Sequence, residues 1–112
     1  MEKEHRDLFP GALEMMVLQT LRREPMHGYA LAQVIKHTSG DLLQIEEGSL
    51  YPALQRMLKA GWVTGEWGLS ERNRKVRIYR VTPAGRKQLE HEVSSFQQML
   101  NGIARVMRPS ES

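Results

Sequence analysis

The segment spanning residues 46–63, Glu46-Glu47-Gly48-Ser49-Leu50-Tyr51-Pro52-Ala53-Leu54-Gln55-Arg56-Met57-Leu58-Lys59-Ala60-Gly61-Trp62-Val63, restricts the fold most, because it describes a helix that stops and turns at once into a strand. Leu50, Leu54, Met57 and Leu58 recur at helical spacing and predict a stripe facing a core. Ser49 reads as the N-cap of a helix over residues 49–60. That start puts Pro52 at the third helical position, where the backbone N–H has no intrahelical partner and its loss is harmless. Gly61 is placed to supply the left-handed residue that ends the helix. Ser49, Tyr51, Gln55, Arg56 and Lys59 are left on the other faces. A helix with such a polar surface, running straight into a strand, has the layout of a groove-reading helix followed by a wing.

The rest of the chain fits around this segment. Leu13, Met16, Val17, Thr20 and Leu21 predict an amphipathic helix that Pro10 or Gly11 can start and Pro25 must end. Met26-His27-Gly28 reads as a link, and Leu31, Val34 and Ile35 mark a second short helix that Gly40 is placed to close. Residues 41–45 then lead into the third helix, giving a variant of the helix-turn-helix arrangement. Two extended segments, residues 62–67 and 76–81, flank a polar run over 68–75 and read as a hairpin with a long basic tip. Thr82-Pro83 gives an N-cap with proline at the first helical position, opening a final helix to about Met107, before Pro109. Along it Leu89, Val93, Phe96, Leu100, Ile103 and Met107 form a heptad seam, and a seam of that length on a terminal helix calls for a partner. The expected fold is α+β, mostly α: a winged helix-turn-helix of three helices plus a β-hairpin wing over residues 1–81, and a long C-terminal dimerisation helix over 82–108 in the same compact unit.

With 112 residues, 40% of them hydrophobic and 26% charged, the chain supports one small core and no second domain. It has no cysteine, so disulfides and thiolate metal sites are excluded. No apolar run approaches the roughly 20 residues that span a bilayer, and the charged start over residues 1–7 lacks a following signal-like stretch. A cytoplasmic protein with no membrane partner is therefore expected. Its net charge of +3 is unevenly spread: residues 1–50 carry five bases against eight acids, the remainder eleven bases against five. From Arg72 to Lys87 there are seven bases and no acid, a local field that favours a polyanion.

The strings Met26-His27-Gly28-Tyr29, Glu46-Glu47-Gly48-Ser49-Leu50-Tyr51-Pro52-Ala53-Leu54, Gly61-Trp62-Val63 and Tyr79-Arg80-Val81-Thr82-Pro83-Ala84-Gly85, in that order, resemble the PadR family of winged-helix transcriptional regulators. The resemblance covers nearly all of the chain. It implies a dimer of winged helices joined through the terminal helix, bound to a palindromic operator and often released by a small molecule.

Each residue singled out has a bland reading beside the functional one. Tyr51 and Gln55 can touch phosphate and base edges in a major groove, Gln pairing with adenine in bidentate fashion; Tyr51 can equally be a half-buried ring packed beneath the helix. Arg56 and Lys59 either clamp phosphates or remain solvated, with contact favoured for Arg56. The wing-tip bases Arg72, Arg74 and Lys75 suit a narrow, electronegative minor groove. His27, His37 and His91 fall in no zinc-type pair, so neither metal nor cofactor is expected, and His27 reads as structural at the start of helix two. Trp62 and Trp67 either stack on a planar effector or pack the hairpin, and packing is favoured because strand tryptophans normally cover a core. Met99 and Met107 suit dimer packing or an adaptable ligand contact.

An enzyme is not expected, since Ser49 has no His and Asp at a motif spacing and no Gly-rich phosphate loop is present. RNA binding would need more aromatics than the chain has. The remaining rival is a winged helix that binds protein and not DNA. The reading is a homodimeric repressor whose partner is double-stranded DNA. An effector, if the protein has one, is expected to be a small aromatic compound wedged between terminal helices near Phe96, Met99 or a tryptophan.

Overall fold

The computed structural model describes residues 11–109, so residues 1–7, Pro10 and the tail over 110–112 lie outside the described part. Among the described residues the elements run α1 (Ala12–Arg23), β1 (Met26–His27), α2 (Gly28–Thr38), α3 (Glu47–Ala60), β2 (Val63–Leu69), β3 (Lys75–Val81) and α4 (Pro83–Met107). The architecture is α+β and mostly helical, with one antiparallel sheet in the order β1-β3-β2.

α1 buries Ala12, Leu13, Val17, Leu18 and Leu21 on one face and ends at Glu24, which is extended as a residue before proline should be. Met26-His27 is more than a link. It pairs with Tyr79 and Ile78 of β3, adding a third strand to the sheet. His27 is structural as expected: its Nδ1 accepts the Ala30 N–H at 3.3 Å and so caps α2. α2 ends at Thr38, and Gly40 and Asp41, both left-handed at φ 65° and 66°, turn the chain away.

α3 starts two residues before the expected N-cap. Extended Glu46 takes that place, and its carbonyl accepts the N–H of both Ser49 and Leu50 at 3.0 Å. Ser49 is therefore inside the first turn and Pro52 is the sixth helical residue. Its missing N–H leaves the Gly48 carbonyl without a helical donor, a loss that exposed Gly48 can recover from water. The other end is as expected: Gly61 at φ 80° closes the helix, its N–H on the Leu58 carbonyl and the Trp62 N–H on that of Met57, a Schellman pair.

The hairpin is longer than its composition implies. Pairing runs from Val63↔Val81 to Leu69↔Lys75, so the tip is only residues 70–74, while Trp62 stays outside the strand. Ser70 organises the tip, its Oγ accepting the N–H groups of Arg72 and Arg74 at 3.3 and 3.2 Å, with Asn73 left-handed at φ 64°.

Thr82 caps α4 by accepting the Gly85 N–H at 3.0 Å. Its hydroxyl also donates to the Gly61 carbonyl at 2.6 Å, which ties α4 to the end of α3. Gly85 must be glycine, since a Cβ there would run into the Trp62 carbonyl oxygen.

The core forms where α1, α2 and α3 converge: Val17, Leu18, Leu31, Leu50, Ala53, Leu54 and Met57 have no exposed surface. Each of the leucines contributes about 1.5–3 kcal/mol by leaving water. Val63 and Tyr79 join the base of the hairpin to it. Leu89, the first residue of the heptad seam, also belongs to this core at 4% exposure, because the first turns of α4 lie on α1. The apolar run available to a partner thus begins at Val93. No helix among the described residues is long and apolar enough to cross a membrane.

Candidate nucleic-acid interface

With about 100° per residue, burial of Leu50, Ala53, Leu54 and Met57 turns Gly48, Pro52, Gln55 and Lys59 directly outward, and all four are exposed. Ser49 and Arg56 flank this strip on one side and Tyr51 on the other. Two of the four outward residues are small or short, so a groove wall can approach the first half of α3 closely while Gln55 and Lys59 project from the second.

The flanking residues are committed within the chain. Arg56 Nη2 donates to Glu14 Oε2 of α1 at 2.9 Å, with the Arg56 side chain still 62% exposed. Tyr51 lies over the start of α2, its ring so close to Gly28 that a Cβ there would come within 2.7 Å of it. Burial raises the Tyr51 phenol above its ordinary pKa, with the negative charges of Glu47 and of an ionised Tyr79 adding to the rise.

On the wing, Arg72 and Arg74 sit exposed in the tip, whereas Lys75 opens β3. Trp67 does not cover the core. It is 64% exposed, and Lys75 Nζ and the Arg77 guanidinium lie 5.0 and 5.7 Å from its ring centroid. Arg77 was not among the residues expected at the site; the available signal was strand alternation, which puts Lys75, Arg77 and Tyr79 on one face once the register is known.

Along α4 the exposed apolar side chains are Val93, Leu100, Ile103, Val106 and Met107. Phe96 and Met99 instead line a cleft of about 150 Å³ against Ala12 and Met15 of α1.

A helical trio whose third member presents a polar face and runs into a β-hairpin defines a winged helix-turn-helix protein. This chain belongs to the PadR-like family of transcriptional regulators, whose family model matches residues 17–91. The fold is similar to that of a transcriptional regulator from Clostridium thermocellum, with 25% identity, 86% of this chain and 93% of that one covered, and a TM-score of 0.79. A PadR family transcriptional regulator from Eggerthella lenta is 28% identical over 90% of this chain and 86% of its own, with a TM-score of 0.76. The Bacillus subtilis PadR, solved in complex with operator DNA, shares the fold at 21% identity, 72% of this chain and 46% of that one covered, and a TM-score of 0.64.

Proposed function

We propose that the protein is a sequence-specific DNA-binding regulator, a cytoplasmic homodimer that represses from a palindromic operator. Gln55 and Lys59 of α3 face the major groove, with Ser49, Tyr51 and Arg56 at its walls, and Arg72, Arg74 and Lys75 of the wing grip the backbone beside it. The observation that carries this reading is the outward strip of α3, polar and sterically bare over Gly48 and Pro52, two residues from a wing rich in exposed cations. Residues 1–81 serve as the DNA-binding part and 82–108 as the dimerisation helix. Support for the dimer comes from the apolar row of Val93, Leu100, Ile103 and Met107, between 37% and 73% exposed in the protomer. The cleft beside Phe96 and Met99 is about the volume that holds one benzene-sized ring, so a small aromatic compound seated there is the release signal this reading favours.

Sedimentation and duplex titration of the full chain test the proposal together. The wild-type protein is expected to sediment as a dimer and to bind random duplex with an affinity that falls steeply as salt rises. Replacing Leu100 and Ile103 together with Glu, both in the exposed row, should give monomers that bind more weakly. A protein that stays monomeric, or that ignores duplex DNA at low salt, overturns the reading in favour of a protein-binding winged helix.

A further inference from the structure

Gly65, Trp67, Lys75 and Arg77 share one face of the hairpin, since Trp67 stands opposite Arg77, Gly65 opposite Tyr79 and Leu69 opposite Lys75. Arg77 lies flat across this face. Its Nε occupies the space beside Gly65 so closely that a Cβ there would come within 2.6 Å of it, and its guanidinium continues to the Trp67 ring at 5.7 Å. Lys75 reaches the same ring at 5.0 Å. Tryptophan is the side chain that attracts cations most strongly through its face. At 64% exposure Trp67 adds little to any core, so what it supplies is a platform. Arg77 Nε is buried with no hydrogen-bond partner among the described residues. The guanidinium is therefore placed by a ring and by the gap at a glycine, and no acid among the described residues forms an ion pair with it.

We propose that Trp67 is a positioning residue which, with Gly65, holds Lys75 and Arg77 as a preformed cation pair for the sugar–phosphate backbone of duplex DNA. The grip of the wing is then the hairpin face as well as its tip. This rests on the reading that duplex DNA is the partner, and it adds three residues, Gly65, Trp67 and Arg77, to the wing bases Arg72, Arg74 and Lys75. Two flexible side chains set in advance lose less freedom on meeting phosphate, so the ring and the glycine act on affinity without carrying any charge.

That separation of charge from placement gives the test. Fluorescence anisotropy of a labelled duplex is followed against salt for the full-length chain and for Arg77→Ala, Trp67→Ala, Trp67→Phe and Gly65→Ala. Arg77→Ala should weaken binding to every duplex and lower the salt slope by about one per lost phosphate contact. Trp67→Ala and Gly65→Ala remove no charge, yet each should weaken binding about 3–10-fold, and Trp67→Phe should recover most of the loss. In a Trp62→Phe background the Trp67 emission should change as duplex is added. Should Trp67→Ala disturb folding, seen as a lowered melting temperature, Trp67→Phe and Gly65→Ala decide the matter. Wild-type affinity and slope in Trp67→Ala and Gly65→Ala, with Arg74→Ala still impaired, would assign the grip to the tip and overturn the platform. Failure of the wild-type chain to bind any duplex would instead overturn the DNA reading itself.

Discussion

α3 and the wing leave the core within two residues of each other, yet they are held in opposite ways. α3 buries Leu50, Ala53, Leu54 and Met57 completely and is pinned on its flank by the Arg56–Glu14 pair. Among the described residues the wing is anchored at its base, by Val63, Tyr79 and the pairing of β1 with β3; beyond Gly65 it depends on the strand ladder and on cations laid over Trp67. The helix is thus as rigid as the core, and its outward strip is held at a fixed height, as the proposed groove reading requires. The wing can open at a smaller cost in free energy, which suits a contact that follows a backbone whatever its sequence.

The largest expected difference between the two regions is in stability. Leu54→Ala should cost about 2–5 kcal/mol, the range for a leucine emptied from a tight core. Leu69→Ala, at a wing position 64% exposed, should stay within about 0.5 kcal/mol. Urea denaturation of both variants measures this. Equal losses would mean that the wing is as firmly built as the helix.

Binding should divide along the same line. Gln55→Ala should remove about 1–3 kcal/mol of discrimination between operator and random duplex. Arg74→Ala and Lys75→Ala should weaken both duplexes alike and flatten the salt dependence by about one for each lost phosphate contact. Competition titrations at two salt concentrations separate these outcomes. A Gln55→Ala variant with an unchanged specificity ratio would move base reading off the outward strip.

What the sequence discloses and what it hides also follow this contrast. Local chemistry is legible: Thr82 with Pro83, Gly61 in its left-handed turn and His27 at the head of α2 each act through partners three or four residues away. Helical spacing likewise marks the buried face of α3. Pairings across long stretches of chain are not legible in this way. Two-residue β1 is too short to carry an alternating pattern, and its partner lies some fifty residues on. Glu14 and Arg56 are 42 residues apart. Ser49 misled because a good capping side chain is a weaker determinant than the extended backbone at Glu46. Leu89 misled because a heptad pattern shows which face is apolar and not what covers it, so core and partner look identical. Trp67 shows the same ambiguity on a strand: its size implied a core, and only the register reveals the cations opposite.

A smaller effect tests how firmly the flank of α3 is held. Glu14→Gln removes the acid that engages Arg56 and leaves that guanidinium beside the outward strip. Because Arg56 is largely exposed, stability should fall by no more than about 0.2–1 kcal/mol. DNA affinity should rise about two- to threefold at low salt, and the gain should disappear in Arg56→Ala, since the released charge adds at most one phosphate contact per protomer. A gain that persists without Arg56 would trace it to the lost negative charge of Glu14 alone.

The smallest effect lies on the opposite flank, at Tyr51, where the sign follows from linkage. Burial raises the phenol in the folded protein, and Glu47 adds to the rise, while in the unfolded chain it titrates near the ordinary value of about 10. Below that pH both states hold the proton and the stabilisation of the neutral phenol is fully present. Above it the unfolded chain releases the proton first, so stability declines as pH climbs from about 10 through the higher folded value. Tyr51→Phe keeps the ring over Gly28 and removes the titrating group. Urea midpoints of the two proteins should therefore run parallel up to about pH 10, after which the wild type should fall more steeply. Curves that remain parallel through the alkaline range would show that the Tyr51 hydroxyl reaches water as freely in the folded protein as in the unfolded one. The flank of α3 facing α2 would then be looser than its pinned counterpart at Arg56.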